Sequence, residues 1–348
     1  AAGAMGVGSL RGVAARALLC LLVGEAYYLE EDVSPPGPLF RVDQCNASRA
    51  QGVPVPEPCA RPDCAAGLGE GGEWRAHRRM LHPRSEVMFF VREWGSMQGF
   101  LGFESAFFMH LVSTLQNNAG VSGGIGEIGL AAGKSFITMA LTRRLGEPLF
   151  ACDIFGGGEE RHNAADALGG QRRAIFAENL LWANVSVSDV VVHDGSSAEL
   201  SDLDLLRATG GAGFRLFHVD GGHLAKYAYH DIAIAACALV EGGVIMVDDV
   251  FSSKWMGAAE GFHRFMHNQR QILRTLSGDL VPFLYVGRIY LTHRRFAEAY
   301  RKALLQTMEG TLTAKEMYGS EVLLFKSYEV FPDAFDSYLK QEEEFFGL

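Results

Sequence analysis

The sequence lacks an excess of basic residues and lacks any repeat. Lys and Arg number 31 against 41 Asp and Glu, which gives a net charge of −10 at neutral pH. A polyphosphate partner needs a cationic face, so this balance disfavours nucleic acid as a partner. Prolines are few, at 11 in 348 residues, and the 41 glycines follow no period. A collagen-like or low-complexity chain is therefore excluded, and the glycines indicate many tight turns.

Long apolar runs are also absent. The apolar run near the N-terminus, residues 17–23, is far shorter than the roughly 20 residues that a membrane-spanning helix needs. Met5, Arg11 and Arg16 precede it, an order typical of a secretory signal or a short anchor. We therefore expect residues 1–31 to be a signal-like or anchor segment that directs the protein to the secretory pathway. The alternative is an ordinary apolar N-terminal helix in a cytoplasmic protein.

Residues 32–95 are rich in Pro, Gly and Ala and show no sustained periodicity, which predicts a linker or stalk. This segment carries an Asn-x-Ser sequon at 46–48 and three of the six cysteines, Cys45, Cys59 and Cys64. These features are compatible with an oxidising lumen, one disulfide and one spare thiol. A second sequon occupies residues 184–186. Cys152 and Cys237 lie inside apolar runs, and we expect them to be buried, inert thiols.

The remaining residues, 96–348, have the pattern of one α/β domain. From residue 97 onward, apolar runs of strand length alternate with helical patterns, which is typical of a doubly wound, Rossmann-like and mostly parallel sheet. Residues 280–286 and 288–292 predict an antiparallel hairpin at the sheet edge. The predicted strands are 125–128, 148–152, 187–192, 214–219 and 244–247, with a further one at 322–325. The predicted helices are 100–115, 133–145, 171–181 and 226–239.

A glycine-rich segment at residues 123–135 allows three interpretations. A phosphate-binding P-loop would require glycine at position 128, where the chain has Ile128. A nicotinamide fingerprint is formally met by Gly124, Gly126 and Gly129, but it should follow an apolar strand, and here the strand lies inside the motif. The third interpretation is therefore favoured.

That interpretation is E-x-G-x-x-x-G, formed by Glu127, Gly129 and Gly133 at the end of the first strand. It resembles the cofactor-binding loop of class I S-adenosylmethionine-dependent methyltransferases. The resemblance implies that the glycines admit the methionine part of the cofactor closely and that Glu127 holds its ammonium directly or through water. It also implies that Lys134 and Ser135, which follow in the same motif, belong to the cofactor site.

The same resemblance extends to the next two strand ends. Asp153, after the second strand, matches the family's acidic residue for the ribose hydroxyls, and the alternative is a helix N-cap. Asp194 and Ser196, after the third strand, resemble the segment that borders the adenine. Asp-Gly-Ser is also a common turn, which leaves a structural role open.

The most specific block runs from His218 to Asp249. It closely resembles O-methyltransferases of the methyltransferase-24 type, including the macrolide-sugar and rhamnosyl enzymes. The resemblance implies that Asp220, Asp248 and Asp249 bind Mg²⁺ or another divalent cation, that Asp220 also borders the cofactor, and that His223 is the general base. The alternative for the acidic pair is a strand that ends in a solvated turn.

These observations predict a metal-dependent O-methyltransferase that moves the methyl group of S-adenosylmethionine to a hydroxyl of a sugar or other small molecule. The expected partners are a small-molecule or glycan hydroxyl substrate and no nucleic acid, and a homo-oligomer is compatible with the sequence. Two other functions stay open. One is a non-haem iron hydroxylase that uses His218 and Asp220, and the other is a non-catalytic descendant that binds cofactor or glycan.

Overall fold

The computed structural model describes residue 97 and residues 99–156, 171–273 and 279–325. The predictions of a signal-like segment and a linker lie outside these residues. Within the described ranges, no helix is long and apolar enough to cross a membrane.

Helices and strands alternate through the first two thirds of the described chain. The seven helices among the described residues are α1 Phe103–Ala119, α2 Lys134–Ala140, α3 Arg172–Trp182, α4 Asp202–Ala208, α5 Ala225–Cys237, α6 Met256–Ile272 and α7 Arg294–Thr307. The nine strands there are β1 Gly124–Ile128, β2 Leu149–Asp153, β3 Val190–Asp194, β4 Phe214–Val219, β5 Leu239–Val247, β6 Leu280–Tyr285, β7 Ile289–His293, β8 Leu312–Met317 and β9 Ser320–Phe325.

The strands form one sheet in the order β3-β2-β1-β4-β5-β7-β6-β9-β8. The first five are parallel, and β7 pairs antiparallel with both β5 and β6. The chain order reverses between β1 and β4, which places a ligand crevice beyond the carboxyl ends of these two strands. The predicted Rossmann-like α/β fold, mostly parallel with an antiparallel hairpin, is confirmed.

Several details differ from the sequence prediction, which also lacks helices α4, α6 and α7. The β6–β7 hairpin is not the sheet edge, because β9 pairs in parallel with β6 and β8 adds a last strand. Residues 187–189 form a 3₁₀ turn, so β3 begins only at Val190. Strand β8 has no continuous apolar run, and its three consecutive residues 314–316 are exposed, which explains why the sequence does not reveal it.

Apolar side chains on both faces of the sheet hold the central strands in place. Every residue of β4 and β5 is buried, as a strand covered on both faces requires. In β4, Leu216 belongs to the core under α1, α2 and α7, whereas Phe217 belongs to the core under α4, α5 and α6. Because both layers fix these strands, the side chains at their carboxyl ends have well-defined positions.

The two described cysteines have different states. Cys152 is a free, buried thiol whose pKa is raised by burial, as expected of an inert core cysteine. The same prediction is wrong for Cys237, which is disulfide-bonded. Local sequence cannot reveal a disulfide.

A cluster of buried charged residues lies at the amino end of β4. Glu147 Oε1 accepts hydrogen bonds from Arg144 Nε and from Arg215 Nε, both at 2.9 Å. Arg215 also donates to Ser113 and Gln116 of α1. Burial alone would raise the pKa of Glu147, but the two guanidinium groups outweigh it and lower that pKa. The cluster ties α1, β4 and the α2–β2 connection together.

Replacing Glu147 with Gln is expected to lower the free energy of unfolding at neutral pH by about 3–5 kcal/mol, because two buried guanidinium groups lose their counter-ion. A depressed folded-state pKa contributes stability above the unfolded pKa that is lost as pH falls through the folded pKa. The variant should therefore show a shallower loss of stability in acid than the wild type. Urea titrations over an acid-to-neutral pH series measure both effects. The exposed Glu309→Gln is the control, and equal acid slopes in wild type and Glu147→Gln would contradict the assignment.

Candidate active site

Five acidic residues lie at the carboxyl ends of four neighbouring parallel strands. They are Glu127 of β1, Asp153 of β2, Asp220 after β4, and Asp248 and Asp249 after β5. Carboxylates gathered in one crevice repel each other unless cations or hydrogen-bond donors are close. The partners of each carboxylate therefore define what the site can bind.

The glycine-rich loop fits closely against the end of β4. Gly129 has a φ of +89°, and a Cβ there would lie 1.9 Å from the carbonyl oxygen of Asp220. Gly133 has a φ of +79°, and a Cβ there would lie 2.3 Å from the ring of Phe176. Both positions require glycine, so the loop can follow this path only with the predicted motif.

Glu127 is fully buried and uses only one of its two carboxylate oxygens. Its Oε1 lies 2.7 Å from His218 Nδ1 and also accepts a hydrogen bond from Ser135 Oγ. Its Oε2 is buried and has no hydrogen-bond partner among the described residues. Burial raises the pKa of Glu127 well above its ordinary value. A cationic donor beside Oε2 would satisfy it, and this agrees with the predicted ammonium contact.

Arg288 joins the two halves of the crevice, and sequence reasoning missed it. Its Nε donates to His218 Nε2 at 2.9 Å, and its Nη2 donates to Asp248 Oδ2 at 2.6 Å. Since an arginine Nε always carries a hydrogen, His218 must be neutral with its proton on Nδ1, where it donates to Glu127. Burial, together with Arg288, lowers the pKa of His218, in agreement with the neutral form. The one feature of the sequence that could have indicated Arg288 is its position as a charged residue at the start of an apolar strand.

Asp220 lies between two groups of candidate metal ligands. Its carboxylate is within 4.8 Å of donor atoms of His218 and Asp248, and in a second group within the same distance of donor atoms of His223 and Asp249. Burial raises the pKa of Asp220, and the nearby Asp248 raises it further. The three predicted ligands thus share one region, but Asp248 and Asp249 have different neighbours.

His223 is fixed by an acid and by an aromatic ring. Its Nε2 lies 3.0 Å from Asp249 Oδ2. Its ring stacks on Trp255 with centroids 4.1 Å apart and an interplanar angle of 21°. Asp249 has a φ of +58°, a conformation that Asp tolerates better than most residues. The imidazole is therefore held in one orientation beside Asp220.

Asp153 acts on the glycine-rich loop and is not a helix N-cap. Its Oδ2 accepts from the amide of Ala131 at 2.8 Å and its Oδ1 from the amide of Phe155 at 2.6 Å. The next described α-helix begins at Arg172 and is preceded by Gln171. Each carboxylate oxygen still has a lone pair, so Asp153 can accept hydrogen bonds from two ribose hydroxyls.

The other predicted cofactor residues differ in their surroundings. Lys134 begins α2, and burial lowers its pKa to about 8. Asp194 forms an ion pair with Arg173, and Ser196 accepts from the amide of Ala198 at 3.3 Å to cap a 3₁₀ turn. These last two side chains therefore have partners within the described residues.

Residues 127–250, which include all of these strand ends, match the sequence model of a family described as "Methyltransferase domain". The match begins at Glu127 and ends just beyond Asp249. Residues 127–250 of this chain therefore form a methyltransferase domain.

Solved structures similar to this methyltransferase domain are distant. An O-methyltransferase from Bacillus cereus in complex with SAH is 15% identical, with 61% of this chain and 91% of that chain covered and a TM-score of 0.40. The O-methyltransferase TomG from Streptomyces achromogenes is 20% identical (61% and 91% covered, TM-score 0.41). The calicheamicin methyltransferase CalS11 is 17% identical (64% and 98% covered, TM-score 0.39). No curated protein matches the chain.

Proposed function

We propose that the methyltransferase domain is a metal-dependent O-methyltransferase whose acceptor is a hydroxyl group of a sugar or another small molecule. The observation that supports this proposal is the contact between the glycine-rich loop and the group of carboxylates around Asp220. The glycine-rich loop lies directly against the backbone of Asp220, and His223 and Asp249 lie next to that same aspartate. A methyl donor on the loop and an acceptor hydroxyl at the carboxylates would thus be neighbours.

The donor side is formed by Glu127, Asp153 and the loop between them. The buried, unpartnered Oε2 of Glu127 suits the cofactor's ammonium, and the free lone pairs of Asp153 suit its ribose. Asp153 also holds the loop through Ala131, so the same residue shapes and contacts the site. S-adenosylmethionine carries its own leaving group and positive charge, and these residues supply position and exclusion of water.

The acceptor side fits a divalent cation. Burial and the adjacent Asp248 raise the pKa of Asp220, so a positive charge at this place would be stabilising. Carboxylate oxygens are the ligands that Mg²⁺ prefers, and Asp220, Asp248 and Asp249 would hold the ion. The cation would orient two vicinal hydroxyls and lower the pKa of the one that reacts. Arg288 supplies one positive charge of the protein's own at Asp248.

His223 would remove the proton from the acceptor hydroxyl. With Nε2 toward Asp249 Oδ2, the imidazole carries its proton on Nε2 and has a lone pair on Nδ1. Asp249 would stabilise the imidazolium that forms, and its other oxygen stays available to a cation. Trp255 keeps the ring from rotating away.

The non-haem iron hydroxylase finds no support in this geometry. Such an enzyme would use a nitrogen of His218 as an iron ligand. Here Nδ1 donates a hydrogen bond to Glu127, and Nε2 accepts a hydrogen bond from Arg288. A non-catalytic cofactor-binding or glycan-binding protein stays as the second candidate, since the same carboxylates could bind without turnover. Measured methyl transfer separates the two.

Asp249→Ala should abolish metal-dependent methyl transfer and leave the affinity for S-adenosylhomocysteine near the wild-type value. The reason is that Asp249 contacts His223 and the metal group, whereas the donor side uses Glu127 and Asp153. Titration calorimetry with S-adenosylhomocysteine, with and without Mg²⁺, gives the affinity. Transfer of labelled methyl to a panel of sugar, catechol and polyketide hydroxyls gives the activity.

The exposed Glu316→Gln on β8 is the matched control and should change neither quantity. Equal loss of cofactor affinity and activity in Asp249→Ala would contradict the assigned roles. Cofactor binding by the wild type without transfer to any acceptor in the panel would favour the non-catalytic alternative.

A further inference from the structure

The C-terminus of α3 presents an asparagine in a fixed conformation. Asn184 has a φ of +56°, and its amide donates to the carbonyl of Leu181 at 3.0 Å. The amide of Val185 donates to the carbonyl of Leu180 at 2.9 Å, and both of these side chains are buried. This pair of bonds with an apolar contact is a Schellman motif, in which asparagine is the commonest residue after glycine at the left-handed position. The helix cap therefore fixes the backbone of Asn184.

The side chain of Asn184 has no role in that cap. It is exposed, and the described residues show no hydrogen bond to its amide group. Asn184, Val185 and Ser186 form an Asn-x-Ser sequon, and Ser186 is also exposed. A group attached to Asn184 Nδ2 would point into solvent and would break no contact of the fold.

Apolar surface flanks the sequon on both sides. The exposed fractions are 69% for Leu181, 53% for Trp182 and 42% for Val187. Val191 on β3, the terminal strand of the described sheet, is 48% exposed. Exposed apolar side chains concentrated beside a sheet edge favour aggregation unless something covers them. A bulky, hydrophilic group at Asn184 would cover this surface.

We propose that Asn184 is an N-glycosylation site. In the reaction, Asn184 Nδ2 forms a bond to C1 of the first sugar of a lipid-linked oligosaccharide. The bond from C1 to the lipid diphosphate breaks, the diphosphate leaves with its electron pair, and Nδ2 loses one proton. The modification requires passage through a lumen where such donors are present.

Two features of the chain agree with that compartment. The segment at residues 1–31 predicts a secretory route. Independently, Cys237 is disulfide-bonded, and disulfides form and persist in oxidising compartments. The proposal does not depend on the enzymatic function, since it concerns a face built from α3 and β3.

The test is peptide-level mass spectrometry of the full chain secreted from, or retained in, cultured human cells. The wild-type peptide that contains Asn184 should carry a glycan that peptide N-glycosidase F removes. Ser186→Ala and Asn184→Gly should both lose it, and Ser186→Thr should keep it. Glycine fits the left-handed cap, so Asn184→Gly preserves the backbone and should melt at the wild-type temperature.

An unmodified wild-type peptide would overturn the proposal, and so would a glycan that persists on Asn184 in Ser186→Ala. Because the measurement is made on this peptide, modification of the sequon at 46–48 cannot produce either result. Cofactor binding by the Asn184→Gly variant should equal that of the wild type, which keeps this test separate from the proposed function.

Discussion

Replacing His223 with alanine is expected to lower kcat about 10²–10⁴-fold, the usual contribution of a positioned general base. The imidazole is held by Asp249 on one side and by the Trp255 ring on its face, next to the carboxylate of Asp220. Its removal takes away the proposed proton acceptor but no contact to the donor side. The affinity for S-adenosylhomocysteine should therefore stay unchanged, and the loss should appear in the rate of a single turnover.

Two variants make this result specific. His267→Ala removes an exposed histidine of α6 and should leave kcat unchanged. Trp255→Leu keeps the imidazole but removes its stacking partner, so a smaller loss than in His223→Ala is expected. A His223→Ala enzyme with wild-type kcat would show that another group accepts the proton.

Replacing Arg288 with methionine is expected to lower the free energy of unfolding by about 3–5 kcal/mol, the cost of removing one member of a buried ion pair. Arg288 is 4% exposed, and its loss leaves Asp248 Oδ2 and His218 Nε2 without their donor. Urea denaturation at neutral pH measures the change. Arg288→Lys keeps the charge but cannot bridge both acceptors, so it should recover only part of the loss.

The double variant Arg288→Met with Asp248→Asn tests the origin of the effect. If the ion pair carries the energy, removing both charges should cost clearly less than the sum of the two single changes. The proposed metal site gives a second measurement: with its competitor gone, Asp248 should bind Mn²⁺ more readily. Added Mn²⁺ should then raise the Tm of Arg288→Met more than that of the wild type. Additive costs and equal Tm shifts would contradict both the pairing and the competition.

Strand β4 shows what the sequence can predict and why. Residues 214–219 are predicted as a strand and form one with the same bounds, because four of the six residues are apolar, as a central strand covered on both faces favours. The acids that follow such strands must then meet at one edge, which is why Asp220 and Asp248 could be placed together. The glycine motif was equally informative, since Gly129 and Gly133 leave no room for a side chain.

The partners of those acids were beyond prediction. Arg288 is 40 residues from Asp248 and 70 from His218 in the chain, and no local pattern links them. Asp248 and Asp249 look equivalent in sequence, but Asp248 pairs with Arg288 and Asp249, whose backbone is in the left-handed region, pairs with His223. Tertiary contacts determine which partner each of these two aspartates has.

The hydrogen-bonded series Ser135, Glu127, His218, Arg288 and Asp248 runs without interruption from the donor loop to the acceptor side. Each member is hydrogen-bonded to the next, so a change at one end alters the protonation or orientation at the other. To change which acceptor this domain prefers, all five residues of the series would therefore have to be replaced together. Swapping the acceptor half alone would disturb recognition of the methyl donor.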